Sequence, residues 1–307
     1  MKVAAIDCGT NSIRLLIAEV ADHQLTDIIR TMIIVRLGEG VDQTGEFSQD
    51  ALKRTFDAAE RFAELIQVHQ PERIRFVATS ASRDVSNRQQ FFEGIKDRLG
   101  VEPEVISGDE EAHLSFIGAT AELRAQDPNL RSPYLVVDIG GGSTEFVLGT
   151  DSPSFAISTN VGCVRMTERH LVNDPPTPAQ IQSATDDIDA AISQAGAVIP
   201  FDRVQSFIGV AGSVTTVAAL SLGLSEYDPE QIHGSRITAT EVHRITTELL
   251  AMTRSERAEL GPMHEGRIDV IGGGALVLDR IMTQLSLGEV VVSERDILDG
   301  IAFALAR

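Results

Sequence analysis

Cysteine is scarce in this chain, and long apolar runs are absent from it. Cys8 and Cys163 are the only two cysteines in 307 residues, which excludes a disulfide framework and fits a reducing compartment. No stretch approaches the ~20 consecutive apolar residues of a membrane-spanning helix. Asp7 interrupts the first apolar run before it reaches the length of a signal-peptide core. We therefore expect a cytoplasmic protein with no membrane partner.

Lysine is also rare, and positive charge as a whole is in deficit. Only Lys2, Lys53 and Lys96 are lysines among the 26 basic residues, and the formal net charge is −19. This charge disfavours binding to nucleic acid or to an anionic membrane surface. An anionic substrate must then be held locally, by backbone N–H groups, a metal ion and a few arginines, whose planar forks suit phosphate. By itself, the arginine content is more typical of genome composition than of function.

The length predicts about two domains, and an internal repeat supports that number. Residues 2–20 and 134–149 share one layout: an apolar β-branched run, an aspartate, a turn of glycine, serine and threonine, and a second apolar run. Asp7 and Asp138 lie 131 positions apart, which is about one domain length. The repeat predicts two similar domains that each begin with a strand, a tight turn and a second strand.

The remaining pattern mixes helices and strands and predicts an α/β fold. Thr177 and Gln180 have the spacing of a capping box at the start of a helix, and the acidic cluster at 186–189 is predicted to be a solvated face rather than a metal site. A polar segment at 124–133 is predicted to link the domains. The predicted helices are 48–67, 110–123 and about 295–305, the predicted strands are 74–79 and 101–106, and strand–turn–helix units are predicted at 207–220 and 269–282.

The two glycine-rich turns carry the predicted chemistry. Glycine lets the backbone turn tightly and expose successive N–H groups, and such concave nests hold phosphate oxygens. One such turn alone is more often a hairpin bend, but two matched turns, each behind an aspartate, favour phosphate binding. Asp7 and Asp138 would then hold Mg²⁺, in part through water. The predicted phosphate ligands are Gly9, Thr10, Asn11, Ser12, Gly140, Gly141, Gly142, Ser143 and Thr144.

The segment VISGDEEA begins a predicted helix with two adjacent glutamates. Ser107 and Glu110 fit a capping box, in which the glutamate folds back onto the serine. Glu111 is turned by about 100° from Glu110, so its carboxylate faces another direction. The alternative for Glu111 is an ordinary first-turn acid that the helix dipole favours.

Other reactive side chains carry weaker signals. Cys8 and Cys163 each stand at Cys-x₅-Arg spacing, before Arg14 and Arg169. Both cysteines are nevertheless predicted to be small buried thiols beside the turns. The histidines lack zinc-type spacing, and His113 is predicted to lie on the surface. Arg14 either contacts phosphate or points to solvent, while Glu145 either assists the metal or is an exposed strand residue.

Several longer motifs resemble the exopolyphosphatase/guanosine pentaphosphatase (Ppx/GppA) family, a branch of the actin, sugar-kinase and heat-shock ATPase superfamily. They follow the family's order over nearly the whole chain, and VAGSVTT at 210–216 stands where the superfamily has its adenosine motif. The chain resembles the short, two-domain form of the family, without C-terminal helical domains. The motifs are IDCGTNSIRLLI, VRLGEGVDQTG, ATSASRD, VISGDEEA, VVDIGGGSTEF, VGCVRMTE and RIDVIGGGALVL.

The resemblance implies two actin-like (ribonuclease H-like) α/β domains with an interdomain cleft, formed by residues 1–124 plus about 294–307 and by residues 125–293. It also implies that Glu111 is the base that activates water, with Asp138 as its catalytic partner. Asp7, Asp138 and Glu111 are the implied metal ligands, and Arg83 is an implied phosphate ligand. The implied cofactor is Mg²⁺, which Mn²⁺ can replace, and a monovalent cation is compatible with the site.

The implied reaction is release of terminal orthophosphate from inorganic polyphosphate, with short chains preferred. Guanosine pentaphosphate (pppGpp) is the alternative substrate, and a homodimer is the implied assembly. Two rivals share the turn motifs: a sugar or acetate kinase and a non-enzymatic nucleotide or polyphosphate sensor. The SGDEEA and VRLGEG segments argue against the kinase, and the acidic set of Asp7, Glu111 and Asp138 argues against the sensor.

Overall fold

The computed structural model describes residues 1–21, 24–83 and 85–306. It divides into two compact units, Met1–Gly118 with Ile297–Arg307 and Ala119–Asp296. The boundaries expected from the sequence, at residues 124 and 294, lie six residues after the first division and three before the second. His23 and Asp84, the last residue of the ATSASRD motif, lie outside the described residues.

The strands form one sheet in each unit. Read in the reverse direction, the second sheet repeats the five-strand order of the first and has a sixth strand at its edge. The first sheet runs β3-β2-β1-β4-β5, and the second runs β10-β11-β9-β6-β7-β8. The strands are β1 Lys2–Cys8, β2 Ser12–Ala21, β3 Gln24–Ile34, β4 Arg73–Ala78, β5 Glu104–Val105, β6 Tyr134–Ile139, β7 Thr144–Gly149, β8 Pro153–Thr159, β9 Ser206–Val210, β10 Arg236–Thr238 and β11 Glu289–Val292.

Helices and strands alternate along much of the chain. The division between the two units falls within helix α5. The helices are α1 Val41–Thr44, α2 Gln49–His69, α3 Ser80–Arg83, α4 Arg88–Leu99, α5 Gly108–Gln126, α6 Cys163–Arg169, α7 Pro178–Gly196, α8 Ala211–Ser221, α9 Pro229–Ile232, α10 Ala239–Ala251, α11 Arg254–Ala258, α12 Ile271–Gln284 and α13 Ile297–Leu305. No helix of the described residues is both long enough and apolar enough to span a bilayer.

The predicted α/β fold class of two actin-like domains is confirmed by the repeated topology. In each unit the first three strands are antiparallel neighbours, and the first strand also pairs in parallel with the fourth. A parallel pair needs a crossover connection, which α2 provides between β1 and β4 in the first unit. The internal repeat in the sequence is therefore a repeat of the opening hairpin in the fold.

Strand β1 lies at the centre of the first sheet and is buried on both faces. Ala4 and Ile6 pack in the cluster that contains Phe62 of α2 and Phe91 of α4. Because side chains alternate along a strand, Val3, Ala5 and Asp7 face the other side, where the cluster includes residues of α5 and α13. The sheet therefore presents Asp7 on the face that α5 covers.

The closing helix α13 packs on the first unit, which confirms the prediction for 295–305. Its residues Ile297, Leu298 and Ile301 join Val3 and Leu16 in one buried cluster. Helical spacing places these apolar side chains on one stripe. An ion pair strengthens the attachment: the Arg30 guanidinium on β3 donates to the buried carboxylate of Asp299 at 2.5 Å.

The acidic cluster of α7 corrects one expectation. Its helix begins as predicted, with a capping box between Thr177 and Gln180. However, Asp187 pairs with Arg169 at 2.8 Å, and Asp189 receives Arg280 at 2.8 Å. Asp186 is exposed, as predicted for a solvated face. Asp187 and Asp189 are instead partly buried and ion-paired to α6 and α12, because these helices place arginines beside them.

Candidate functional site

The two glycine-rich turns have the same internal geometry. In the first, the Gly9 N–H donates to the Ser12 carbonyl at 2.9 Å, and in the second the Gly140 N–H donates to the Ser143 carbonyl at 3.0 Å. Each turn connects the first two antiparallel strands of its sheet. The same hydrogen bond therefore closes the turn in both copies of the sequence repeat.

The VRLGEG motif holds the first turn from outside. The N–H groups of Val35 and Arg36 donate to the Asn11 carbonyl at 3.0 and 2.9 Å, and the Gly38 N–H donates to the Thr10 carbonyl at 2.8 Å. A Cβ at Gly38 would lie 2.3 Å from Cγ2 of Thr10, so the motif requires glycine at this position. VRLGEG therefore engages the carbonyl groups of the turn.

The VGCVR motif plays the same part for the second turn. The Cys163 N–H donates to the Gly140 carbonyl at 2.9 Å, and the N–H groups of Val164 and Arg165 donate to the Gly141 carbonyl at 2.9 and 3.1 Å. In both units, a segment downstream of the turn thus satisfies the turn's carbonyl oxygens. The N–H groups are then the part of each turn left to face a ligand.

Backbone donors are available in the second turn. The N–H groups of Gly141, Gly142 and Ser143 donate to no acceptor among the described residues, although Gly142 and Ser143 are buried. The Thr10 N–H of the first turn has no acceptor among those residues either. Buried backbone donors are nearly always paired, and consecutive unpaired N–H groups in a turn form an anion-binding nest. This arrangement supports phosphate binding.

The close packing at Gly162 gives a testable expectation. A Cβ at Gly162 would lie 2.6 Å from the Gly141 carbonyl oxygen, so Gly162→Ala must displace the second turn. We expect a loss of roughly 1–3 kcal/mol in the free energy of unfolding, as for other overpacked sites, together with reduced phosphate binding. Chemical denaturation and calorimetric titration with phosphate measure the two effects.

A second glycine of the same unit provides the control. A Cβ at Gly196, at the end of α7, would meet the Phe201 ring at 3.7 Å, an ordinary contact. Gly196→Ala is therefore expected to keep phosphate binding and to raise stability by up to about 1 kcal/mol. Equal behaviour of the two variants would show that the tight contact at Gly162 does not hold the turn.

Behind the first turn, the buried Asp7 is paired with an arginine. Asp7 and Arg14 are direct partners across β1 and β2, and Arg14 donates through Nε at 3.0 Å and Nη2 at 2.6 Å to Oδ2 of Asp7. Neither alternative for Arg14 from the sequence included this pair. Arg14 offsets the charge of Asp7, which makes Asp7 a weaker candidate for a metal ligand.

Behind the second turn, the equivalent pair is acidic on both sides. Asp138 and Glu145 are direct partners across β6 and β7, and they are 8% and 1% exposed. Directly opposed residues share one face of a sheet, and two buried carboxylates need a cation or a proton to lie together. The alternative of an exposed Glu145 is therefore wrong, and its Oε1 accepts from the Ser158 hydroxyl at 2.6 Å.

Glu111 and Arg83 meet in the first unit. Strands β1, β4 and β5 are parallel neighbours, so α3 and α5 both begin at the edge of the sheet that carries the first turn. Nη1 of Arg83 donates to Oε2 of Glu111 at 2.7 Å, and the two side chains are 22% and 11% exposed. The Thr10 and Ser80 hydroxyls lie 3.0 Å apart at the same edge. The fold thus groups a carboxylate, a guanidinium and hydroxyls near a phosphate turn.

Glu110 makes a different contact from the predicted one. The Ser107 hydroxyl accepts from the Glu110 N–H at 3.2 Å, as expected for the cap, but the Glu110 carboxylate accepts from Arg75 at 2.6 Å. The prediction that the Glu110 carboxylate folds back onto Ser107 is therefore wrong, because the Arg75 guanidinium on β4 binds that carboxylate. Burial lowers the pKa of Arg75, but its hydrogen bonds to Glu104 and Glu110 outweigh this and raise the pKa.

The VAGSVTT motif forms the last residue of β9 and the first turn of α8, and an arginine covers it. A Cβ at Gly212 would lie 2.4 Å from Cζ of Arg267, and Nη1 of Arg267 donates to the Thr216 hydroxyl at 3.0 Å. The guanidinium also lies 5.8 Å from the centre of the Tyr227 ring. Arg267 is therefore held within the second unit.

Both cysteines are buried, as predicted. Burial raises the pKa of Cys8, and the nearby Asp7 raises it further. Burial also raises the pKa of Cys163. A thiol with a raised pKa is a poor nucleophile at neutral pH, which agrees with a packing role. His113 is exposed, as predicted.

The remaining predicted ligands differ in what they offer. Gly9, Asn11 and Ser12 contribute backbone groups that build the first turn. Thr144 is fully buried, and its hydroxyl donates to the Val161 carbonyl at 2.7 Å, so this hydroxyl supports the turn rather than pointing at a ligand. Within the described ranges, no group of three or more histidine, cysteine or acidic side chains could hold a metal ion.

Comparisons with known proteins agree on one family. A model of the Ppx/GppA phosphatase family matches residues 16–306. Exopolyphosphatase 2 of Mycobacterium tuberculosis strain H37Rv is 46% identical, covering 99% of this chain and 98% of its own length. A crystal structure of an exopolyphosphatase-like protein matches with a TM-score of 0.95 at 45% identity, over 99% of this chain and 97% of that one. An exopolyphosphatase from Cytophaga hutchinsonii matches with a TM-score of 0.90 at 25% identity, over 99% and 97%.

Proposed function

The chain belongs to the Ppx/GppA phosphatase family, and from that premise we propose that it is an exopolyphosphatase. It hydrolyses the terminal phosphoanhydride bond of inorganic polyphosphate and releases orthophosphate. The observation that carries the proposal is the pair of equivalent turns. Among the described residues, their N–H groups at Thr10, Gly141, Gly142 and Ser143 have no acceptor. Polyphosphate presents the same tetrahedral group repeatedly, so it suits a protein with two anion-binding turns of one design.

Glu111 activates the attacking water in this proposal. The water oxygen attacks the terminal phosphorus, the bridging P–O bond breaks, and the proton of the water passes to the Glu111 carboxylate. Phosphoryl transfer depends mainly on positioning and on offsetting charge. Arg83, which bonds to Glu111, has further N–H groups that can donate to a phosphate oxygen. Within the second unit, the N–H groups of Gly141, Gly142 and Ser143 offer three donors to a phosphate group.

A divalent cation fits the second unit best at Asp138 and Glu145. Two adjacent buried carboxylates provide the hard oxygen ligands that Mg²⁺ prefers, and Mg²⁺ usually keeps several waters and takes one or two carboxylates. When bound, Mg²⁺ would offset charge on phosphate oxygens. Asp7 and Glu111 remain proposed ligands from the family resemblance, although each already bonds to an arginine. Mn²⁺ can replace Mg²⁺, and a monovalent cation remains part of the proposal.

Polyphosphate is favoured over a nucleotide by the position of Arg267. Its guanidinium covers Gly212 in the segment that resembles an adenosine motif, so a nucleoside approaching that backbone would have to displace it. The same contact argues against a kinase that binds ATP. Guanosine pentaphosphate remains the alternative substrate, and the homodimer and cytoplasmic location remain proposals from the resemblance and the sequence.

Phosphate release from three substrates tests the proposal directly. We expect the purified protein to release orthophosphate from short-chain polyphosphate faster than from long-chain polyphosphate or pppGpp, and only with Mg²⁺ or Mn²⁺ present. Chelation of the metal should abolish release, since a metal ion held at Asp138 and Glu145 would offset charge on the phosphate oxygens. Faster turnover of pppGpp would replace the proposed substrate. ADP formation from ATP that depends on added sugar or acetate would instead support the kinase.

A further inference from the structure

A single arginine outside the predicted site residues ties together the elements that carry Glu111. Arg75 lies on β4, and by strand alternation it shares a face with Val77, which packs in the cluster with α5 and α13. Its Nε and Nη2 donate to the Glu104 carboxylate of β5 at 3.0 and 2.8 Å. Nη2 also donates to Glu110 in the first turn of α5 at 2.6 Å. One guanidinium therefore bridges two strands and a helix start.

The helix start follows a very short strand and begins at a glycine. Strand β5 is only two residues long, and α5 begins at Gly108, the residue type with the largest conformational freedom. The first N–H groups of a helix have no intrahelical partner. Here the Ser107 hydroxyl accepts from Glu110, and the Ser107 carbonyl accepts from the Glu111 N–H. One backbone bond and one side-chain cap therefore support the first turn, and further side-chain contacts add to them.

Two adjacent glutamates provide those contacts on two sides. Glu110 is held by Arg75 of β4, whereas Glu111 is held by Arg83 of α3. Exposed ion pairs contribute only about 0–1 kcal/mol each to stability, and the Glu104 and Glu110 side chains are about half exposed. The consequence of the Arg75 contacts is therefore expected in the placement of Glu111 rather than in global stability.

We infer that Arg75 is a positioning residue for the water-activating Glu111, acting through Glu110, an inference that rests on the proposed function. Arg75 holds the first turn of α5 against β4 and β5, so that the Glu111 carboxylate keeps a constant place relative to the first phosphate turn. It contacts neither water nor phosphate in the reaction. A displacement of about 1 Å at a reacting group can cost roughly 10²-fold in rate. We expect the loss of Arg75 to reduce the rate by up to this factor.

Steady-state kinetics with short-chain polyphosphate test the inference. We expect Arg75→Ala to lower kcat roughly 10- to 100-fold, with KM and the melting temperature nearly unchanged. Arg75→Lys keeps one cationic donor and should recover part of kcat. The matched control is Arg98→Ala, which removes an arginine that pairs with Glu60 at 3.0 Å between α4 and α2. Neither of those helices carries a candidate site residue, so this variant should keep kcat.

A double variant separates positioning from a general structural effect. If Arg75 acts through Glu111, Arg75→Ala should slow the Glu111→Gln enzyme by no more than about twofold, since residues that act as a unit are not additive. An unchanged kcat in Arg75→Ala, or a full further loss in the double variant, would overturn the inference.

Hydrogen exchange provides a readout that does not depend on turnover. Amides 108–112 should exchange faster in Arg75→Ala than in the wild type or in Arg98→Ala, since fewer contacts hold the first turn. If the wild type released no phosphate from polyphosphate, the proposed function would fail. Hydrogen exchange would still show whether Arg75 holds the start of α5. Unchanged exchange at these amides would show that Arg75 does not hold the helix start.

Discussion

Replacing Glu111 by glutamine should lower kcat for polyphosphate hydrolysis by roughly 10²–10⁴-fold, the usual contribution of general acid–base catalysis. Glutamine is close in shape, and its oxygen can still accept from Arg83, which lies 2.7 Å from the present carboxylate. The fold and the binding of substrate should therefore persist. Substrate affinity should rise slightly, because a negative charge near a polyanion is removed. Initial rates over a range of substrate concentrations separate kcat from KM.

The adjacent Glu110 supplies the matched control. Glu110→Gln keeps an oxygen that can accept from Arg75, so we expect less than about tenfold loss in kcat, corresponding to at most one weakened hydrogen bond. Both variants should melt close to the wild type. If Glu110→Gln abolished turnover while Glu111→Gln did not, the assignment of the base would be wrong by one residue.

Loss of either carboxylate behind the second turn should impair the use of Mg²⁺. In Asp138→Asn, the amide can still coordinate, but it removes one negative charge from the buried pair that Asp138 forms with Glu145. We expect the Mg²⁺ concentration for half-maximal turnover to rise by at least about 10- to 100-fold, the range seen when groups that support a metal ligand are lost. Glu145→Gln should behave similarly, because it removes the other negative charge of the same pair.

Two measurements check this expectation. Titration of turnover with Mg²⁺ gives the apparent affinity, and calorimetric titration with Mn²⁺ reads metal binding without substrate. Asp186→Asn is the control, since Asp186 lies exposed on α7 of the same unit and accepts from Gln182 on the same helix. Near-normal rates of folded Asp138→Asn at low Mg²⁺ would remove Asp138 from the metal site.

The sequence determined the plan of the fold because the plan depends on local patterns. The repeat of an apolar run, an aspartate and a glycine turn identified both opening hairpins, and the residues of the two turns correspond position by position. Helices α2 and α7 and the closing helix also followed from apolar spacing and caps. Strand β3 and helices α4 and α10 escaped prediction. The burial pattern of β3 does not alternate cleanly, and α4 has no side-chain cap.

The identities of the chemical side chains also followed from the sequence, but their partners did not. Asp138 could be named from its place before a glycine turn, whereas Glu111 and Arg83 were named from motifs that resemble the Ppx/GppA family. The pairs Asp7–Arg14, Arg83–Glu111 and Arg75–Glu110 join elements far apart in sequence or across a hairpin. The choice between the two alternatives for Glu145 depends on its burial and on the hairpin register, which places it in the position of Arg14 in the second copy.

The tertiary structure alone decided what each charge does. In the first unit, the strand register places an arginine opposite Asp7, so that carboxylate is neutralised within the protein. In the second, the same register places Glu145 opposite Asp138 and buries both, which favours a cation there. The same hairpin therefore carries an oppositely charged pair in the first unit and two carboxylates in the second. Cross-strand register and burial set the local charge balance, and neither is written in the order of residues along a single strand.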